Sequence, residues 1–75
     1  MPKSKFIKMN SVTDVMNFVK EASKIEGDVT VLKGRYIIDG KSIMGVMSID
    51  MSTGMTVEYP ADAVDFENFI SQFES

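Results

Sequence analysis

The sequence predicts an α+β fold in which a β-sheet carries helices on one face and leaves the other face in water. Three segments repeat apolar residues at helical spacing, and the segments between them alternate apolar and polar residues as half-buried strands do. Their order along the chain is β-α-β-β-α-β-α. With 75 residues, 44% of them hydrophobic, the chain is predicted to form a single domain, residues 1–75.

The first two elements are a short β-type stretch, Lys5–Met9, and a helix that starts after Ser11. The Ser11 hydroxyl can accept the N–H of residue 14, and Asp14 places negative charge in the first turn, where it is favoured. Gly27 is a natural stop for this helix. The apolar residues at helical spacing predict one buried face, made of Val12, Val15, Met16, Val19, Ala22 and Ile25.

A β-hairpin is predicted in the middle of the chain. Asp28–Leu32 and Arg35–Ile38 have the composition of strands, and Lys33-Gly34 supplies the turn between them. Asp39-Gly40 then ends the second strand.

The remaining elements are a short helix, a strand and a final helix. Ser42 caps the short helix, which runs to Ser48, and the turn Ser52-Thr53-Gly54 leads into the strand. The strand ends at Pro60 and buries its alternate residues Met55, Val57 and Tyr59. Asp65 is predicted to cap the final helix, whose apolar face consists of Phe66, Phe69, Ile70 and Phe73.

Composition excludes several classes of function. The chain contains no cysteine and no histidine, which removes thiol nucleophiles, thiolate zinc sites, the commonest general base and any phosphohistidine intermediate. We therefore predict that it is not an enzyme and holds no metal or cofactor. A net charge of −3 argues against a nucleic-acid surface, and no apolar run is long enough for a membrane span. The predicted location is the cytoplasm.

Two charged motifs have ordinary structural explanations. Gly40-Lys41-Ser42 resembles the end of a phosphate-binding P-loop, but that motif requires glycine at position 35, which is Arg35. The acidic residues near the end of the chain are best explained as a solvated helix face rather than a metal or acid–base cluster; they are Asp62, Asp65, Glu67 and Glu74.

Four methionines between residues 44 and 55 allow two interpretations. They can fill gaps in the core, or they can form a flexible apolar surface that binds protein. Because the segment Ile43–Met47 is apolar almost all round, some of Ile43, Met44 and Met47 should be exposed. Ser42, at the start of the same segment, is either a plain helix cap or a phosphoacceptor that presents its charge beside this apolar surface.

The segment Gly40-Lys41-Ser42-Ile43-Met44-Gly45-Val46-Met47-Ser48 closely resembles the regulatory-serine region of HPr, the phosphocarrier of the bacterial sugar phosphotransferase system. Ala22-Ser23-Lys24 and Gly54 also fall at family-like places without gaps. The resemblance implies an open-faced β-sandwich, with a four-stranded antiparallel sheet and three helices on one face. It also implies that a serine kinase phosphorylates Ser42, and that partner proteins contact the helix through Ile43, Met44 and Met47. Lys41 would neutralise the phosphate or position the kinase, unless it is simply an exposed, solvated lysine.

The chain departs from the family at the phosphotransfer site. Counting back from Ser42, the phosphorylated histidine of the family falls on Ser11, and its neighbouring arginine and proline fall on Thr13 and Asp14. A serine phosphate does not replace a phosphoimidazole as a phosphoryl donor, so Ser11 is interpreted as a helix cap. Some relatives that lack the histidine act as serine-phosphorylated corepressors in carbon-catabolite regulation. The arginine missing at Thr13 contacts the transcription factor in family complexes, which counts against corepressor binding here.

We therefore expect a non-catalytic regulatory protein phosphorylated on Ser42, with an HPr serine kinase and a phosphotransferase-system or transcriptional regulator as partners. A second hypothesis is a constitutive protein-binding or homodimerising module in which Ser42 is only a cap. A third is an active phosphocarrier that uses another residue. The sequence decides neither the oligomeric state nor the identity of the partner.

Overall fold

A computed structural model describes residues 1–75 and contains four strands and three α-helices. The strands are β1 (Pro2–Ile7), β2 (Thr30–Lys33), β3 (Tyr36–Asp39) and β4 (Met55–Pro60). The helices are α1 (Val12–Ala22), α2 (Ile43–Met47) and α3 (Val64–Ser71), and a 3₁₀ turn, Met51–Thr53, precedes β4. The strands form one antiparallel sheet in the order β1-β4-β2-β3. The predicted element order and the predicted antiparallel sheet are both confirmed.

The core lies between the helices and one face of the sheet. Strand alternation directs Met55, Val57 and Tyr59 of β4 into this core, as predicted. The final helix contributes Phe66 and Ile70 to the core. Two partly buried side chains pack against the margin of the core, Phe69 and Phe73. Fourteen buried hydrophobic residues form one cluster, and no polar or charged side chain is buried with them. The core is therefore held together by apolar packing, without a buried polar network.

The opposite face of the sheet is open to water, and one row on it is largely apolar. The register pairs Phe6 of β1 with Thr56 of β4, Thr56 with Leu32 of β2, and Leu32 with Ile37 of β3. Ile37 is 77% exposed and Phe6 is 46% exposed. The next row contains only Ser4, Glu58, Thr30 and Asp39. The exposed apolar row therefore lies at one end of the outer face.

The buried face of α1 differs from the predicted one. Val15, Val19 and Ala22 are buried as expected, but Phe18 is also fully buried, whereas Val12 and Met16 are more than half exposed. Residues 15, 18, 19 and 22 follow the i, i+3, i+4, i+7 spacing of a narrow helical face. The prediction was wrong about Val12 and Met16 because the rotation of α1 directs the face of Val15, Phe18, Val19 and Ala22 into the core and leaves these two residues at its margin.

The first helix also ends earlier than predicted, at Ala22 instead of Gly27. The Ser23 hydroxyl donates to the Val19 carbonyl at 2.7 Å, and the Ile25 N–H donates to the Ala22 carbonyl at 3.1 Å. These contacts tighten and end the last turn. Ile25 still packs against the core from the loop.

Strand boundaries differ from the predictions by one to three residues. The hairpin pairs Lys33 with Tyr36 across the two-residue turn Gly34-Arg35, so Arg35 belongs to the turn, and β3 includes Asp39. This turn type takes glycine at its first central position, and Gly34 has φ of 58°. The first strand begins at Pro2 and ends at Ile7 because its pairing with β4 determines its length, and no local pattern reveals that pairing.

The final helix begins at Val64, with Ala63 at the N-cap position and no side-chain cap. The predicted cap, Asp65, lies inside the first turn. The turn after β4 determines this start, because the Ala63 N–H donates to the Pro60 carbonyl at 3.0 Å. The acidic residues of this region do not form one cluster: Glu67 pairs with Lys3, and Glu74 pairs with Lys5 on β1.

Candidate functional site

Ser42 lies at the junction between β3 and α2 and caps the helix, as predicted. Its Oγ accepts the Gly45 backbone N–H at 3.2 Å, and its carbonyl accepts the Val46 N–H at 3.0 Å. Its extended backbone, with φ of −99° and ψ of 110°, is typical of an N-cap residue. The residue is half-buried, and its hydroxyl donates no hydrogen bond within the chain. The oxygen is therefore held in place while its proton stays free.

The short helix packs closely on β3 at Gly45. A Cβ at Gly45 would lie 2.8 Å from Ile38 Cγ2, so a larger residue would push α2 away from the sheet. Val46, the next residue, is fully buried. This contact explains why a glycine lies inside the helix, although glycine there costs about 1 kcal/mol relative to alanine. The same contact holds Ser42 in a fixed position over the sheet.

Lys41 is tied to the protein instead of extending into solvent. Its Nζ donates to the Ile25 carbonyl at 2.5 Å, and its backbone N–H donates to Asp39 Oδ1 at 2.9 Å. The side chain is half-buried. The alternative of an exposed, solvated lysine is therefore wrong, and in this structure the ammonium joins the Ser42 segment to the loop after α1.

Ile43, Met44 and Met47 form an exposed apolar surface on α2, which we call the α2 surface. Met44 is 83% exposed, Met47 is 45% exposed and Ile43 is 38% exposed. The predicted exposure of these residues is confirmed. The core interpretation holds for other methionines of the group: Met55 is buried, and Met51 packs against the core. Exposed apolar side chains on adjacent turns are typical of protein-binding surfaces.

A shallow groove of about 250 Å³ joins the start of α1 to the end of α2. Ser11 and Val12 line it from α1, and Met47 lines it from α2. Ser11 caps α1 as predicted, with its Oγ accepting the Asp14 N–H at 3.0 Å. The structure thus brings Ser11 and Met47 to one groove, whereas Ser42 lies at the opposite end of α2.

Two exposed apolar residues beside this groove were missed as surface candidates. Val12 is 57% exposed and Met16 is 53% exposed. Their helical spacing predicts a core position for both, which the structure contradicts. The apolar residues of α1 form a stripe that is wider than the face an 11-residue helix buries. That excess width is the sequence signal that could have indicated exposed apolar residues.

The 3₁₀ turn behind the groove is held by side-chain hydrogen bonds. Asp50 Oδ1 accepts the hydroxyl of Ser52 at 2.6 Å and its backbone N–H at 3.0 Å, and these bonds lower the pKa of the Asp50 carboxyl. Lys33 donates to Thr53 Oγ1 and, at 2.8 Å, to the Gly54 carbonyl. These contacts join the turn to β2 and so support one wall of the groove.

Chemically, the site offers the Ser42 hydroxyl and the α2 surface beside it. No set of three or more aspartate or glutamate side chains is gathered where it could hold a metal ion. None of the helices has the length and apolar character needed to traverse a bilayer.

Comparison with known proteins identifies the family. The family model described as the PTS HPr component phosphorylation site matches residues 11–75, which include both Ser11 and Ser42. This chain belongs to the HPr family. The predicted family is therefore confirmed.

Individual relatives include both HPr and Crh. The HPr-like protein Crh of Bacillus subtilis is 42% identical over 48 residues, which are 64% of this chain and 56% of the length of Crh. The crystal structure of Crh matches with a TM-score of 0.63 and 25% identity, over 88% of this chain and 84% of that one. HPr of Bacillus anthracis matches with a TM-score of 0.73 and 23% identity, over 99% of this chain and 96% of that one, and shows the shared fold.

Proposed function

We propose that this chain is a regulatory HPr-like protein whose Ser42 hydroxyl accepts phosphate from a serine kinase, and whose α2 surface is contacted by a partner protein. It acts in bacterial carbon-catabolite or sugar-phosphotransferase regulation and carries out no catalysis of its own. The observation that carries the proposal is a half-buried, conformationally fixed Ser42 directly beside the exposed α2 surface, in a family member that has no histidine.

The geometry of Ser42 suits a phosphoacceptor. During transfer from ATP, Ser42 Oγ would attack the γ-phosphorus, the bond to ADP would break, and the hydroxyl proton would pass to a base on the kinase. That proton is not used within the chain. The first turn of α2 contains no acidic residue, so no adjacent helical carboxylate repels the phosphate.

Phosphorylation would change the electrostatics of the α2 surface without requiring a new fold. A phosphoserine carries about −1.5 to −2 charges near neutral pH. Its oxygens can accept the Gly45 N–H that Ser42 Oγ accepts now. Ile43 follows directly, and Met44 is 83% exposed. A partner that binds these apolar side chains would therefore also contact the phosphate.

Lys41 has a structural function in this proposal. Its ammonium is bonded to the Ile25 carbonyl, so it would have to exchange that contact for the phosphate. We propose that it holds the Ser42 segment in position for the kinase. Lys41→Gln would then reduce phosphorylation by loosening this segment, and the loss would be accompanied by a lower denaturation midpoint.

The relatives support this role. Crh is described as the catabolite-repression protein of Bacillus subtilis, and its matched segment is 42% identical to this chain. A chain without histidine cannot form the phosphoimidazole of a phosphocarrier. With phosphoenolpyruvate and enzyme I, we expect no acid-labile phosphoprotein, and Ser11, the N-cap residue of α1, would stay unmodified.

The direct test is the intact mass of the protein after incubation with an HPr serine kinase and ATP. We expect one added phosphate on the wild type and none on Ser42→Gly, a variant chosen because glycine replaces a capping serine at a cost of only a few tenths of a kcal/mol. Ser48→Ala is the matched control, since Ser48 lies at the other end of α2. An unmodified wild type, with the kinase active on ordinary HPr, would contradict the proposal.

A second candidate is a constitutive binding or homodimerising module. The crystal structure of Crh is described as a domain-swapped, intertwined dimer, which shows that this fold can self-associate. In that case partner binding would be abolished by Met47→Asp and unchanged by Ser42→Gly or Ser42→Asp. Pull-down with the three variants separates this candidate from the phosphorylation proposal.

A further inference from the structure

One edge of the sheet is unprotected. Strand β3 lies at the edge and has no strand on its outer side. The other edge is partly covered, because Ile7 forms an antiparallel bridge with Glu74, and the Ser75 N–H donates to the Phe6 carbonyl at 3.2 Å. In an antiparallel ladder the backbone groups of alternate residues point away from the neighbouring strand. The outer side of β3 therefore presents the N–H and C=O of Ile37 and the N–H of Asp39, whereas the Asp39 carbonyl already accepts the Ser42 N–H at 3.0 Å.

The composition of β3 does not prevent pairing. Edge strands are commonly protected by lysine, proline or a bulge, and Tyr36-Ile37-Ile38-Asp39 contains none of these. Ile37 is 77% exposed and Tyr36 is 54% exposed. Ile37 also ends the apolar row of Phe6, Thr56 and Leu32 on the outer face. A strand added here would continue both the ladder and this row.

We propose that the occupant of this edge is a second copy of the chain, with the two β3 strands antiparallel about a twofold axis at Ile37. In this register Ile37 faces Ile37 of the second copy, and Tyr36 faces Ile38. Arg35, in the turn directly before β3, then lies beside Asp39 of the second copy at both ends of the paired strands. The charge pattern Arg35-x-Ile37-x-Asp39 is therefore complementary to itself when it is reversed.

The charges also exclude the neighbouring symmetric register. An axis at Ile38 would place Arg35 opposite Lys41 of the second copy and leave Asp39 opposite Ile37. Like charges directly opposite each other are destabilising, whereas opposite charges and aromatic–β-branched pairs stabilise a ladder. The axis at Ile37 avoids this approach of Arg35 to Lys41 and brings Arg35 beside Asp39 of the second copy, whereas Lys41 lies beyond the end of β3 and has no partner in this register.

The expected dimer is weak and exchanges rapidly. A pair of four-residue strands buries much less than the roughly 1,200–2,000 Å² of a standard stable interface. Both copies keep their helices on the same side of an eight-stranded sheet, because strand pairing about an axis perpendicular to the sheet preserves its faces. No part of either chain has to unfold or exchange.

Sedimentation equilibrium of the full chain over a range of concentrations tests the proposal. We expect a reversible monomer–dimer equilibrium, which Ile37→Lys weakens by about tenfold or more because it places two lysines opposite each other. Val64→Lys is the matched control: Val64 is also an exposed apolar residue, at 57%, but it lies on α3. It should leave the dissociation constant unchanged.

A charge exchange tests the register. Arg35→Glu alone and Asp39→Arg alone each place two like-charged pairs in the homodimer and should weaken it. An equimolar mixture of the two variants restores opposite charges in both pairs, so it should associate about as well as the wild type. If Asp39→Arg fails to fold, Asp39→Asn serves instead, since its side-chain oxygen still accepts the Lys41 N–H. A double variant with Asp39→Asn and Arg35→Glu in the same chain should then recover part of the association that Arg35→Glu alone loses.

Three results would overturn the proposal. The first is a chain that remains monomeric at millimolar concentration. The second is a dimer that is insensitive to Ile37→Lys, as a domain-swapped dimer would be. The third is an Arg35→Glu and Asp39→Arg mixture that associates no better than its components.

Discussion

At the scale of single residues, Tyr59 and Glu67 form the most informative polar contact of the fold. The Tyr59 hydroxyl donates to Glu67 Oε2 at 2.6 Å, linking β4 to α3. This bond lowers the pKa of Glu67, with partial burial acting against it and Lys3 adding to it. Burial raises the pKa of Tyr59 well above its usual range, and the same hydrogen bond adds a smaller increase. Each group thus favours the protonation state that keeps the bond intact.

We expect Glu67→Gln to lower the free energy of unfolding at neutral pH but to have little effect in acid. A carboxyl whose pKa is lowered in the folded state contributes stability that is fully present above its unfolded pKa of about 4.3. That contribution is lost as pH falls through the folded pKa. Urea denaturation at about pH 7 and about pH 2.5 measures the difference. Glu58→Gln, on the open face of the sheet, is the control, and an equal loss at both pH values would contradict the explanation.

Gly54 is the second residue whose local geometry leads to a prediction. It has φ of 102° and ψ of 151°, a conformation almost restricted to glycine, and a Cβ there would overlap the Phe6 ring. We expect Gly54→Ala to destabilise the fold by about 1–3 kcal/mol through backbone strain, with an added clash. When Phe6 is also replaced by alanine, only the strain should remain. Urea denaturation of the wild type, the two single variants and the double variant tests this, and strictly additive losses of stability would rule out the clash.

At the scale of elements, the orientation of α1 decides which of its apolar residues stabilise the fold. Phe18 is fully buried and contacts Phe66 with ring centroids 5.6 Å apart, whereas Met16 is 53% exposed. We expect Phe18→Ala to cost about 3–5 kcal/mol. Met16→Ala should change stability by less than about 0.5 kcal/mol. Thermal and urea denaturation distinguish the two, and similar losses for both variants would show that α1 is rotated.

The short helix α2 shows what local sequence can predict. A capping serine followed by apolar residues was sufficient to locate it, and it spans Ile43–Met47 with caps at Ser42 and Ser48. The helical stop at Gly27 and the cap at Asp65 were wrong because other local hydrogen bonds act first. The Ser23 hydroxyl ends α1 through the Val19 carbonyl, and the turn that bonds Ala63 to Pro60 starts α3.

At the scale of the whole molecule, the order of the strands determines where the fold is most easily opened. Strand β4 lies between β1 and β2, so its backbone is paired on both sides, whereas β3 is paired on one side only. In hydrogen exchange at low protein concentration, we expect the amides of β4 to exchange most slowly and outward-pointing amides of β3 to exchange much faster. Uniform protection of β3 in a dilute monomer would contradict a free edge.

Much of this protein is determined by sequence pattern. The alternation in Met55, Val57 and Tyr59, the aromatic face of α3 and the capped segment after Ser42 predict local structures that the fold retains. Residues close in the chain interact before any tertiary contact forms, so their spacing records these elements directly. The absence of histidine is likewise visible without a structure.

Only the tertiary structure decided how these elements meet. It placed Phe18 in the core and Met16 at the surface, bonded Lys41 to the Ile25 carbonyl, and brought Ser11 and Met47 to one groove. It also left β3 as the free edge of the sheet. The partners in each case are distant in sequence, and their contacts follow from strand order and helix rotation, which local spacing does not encode.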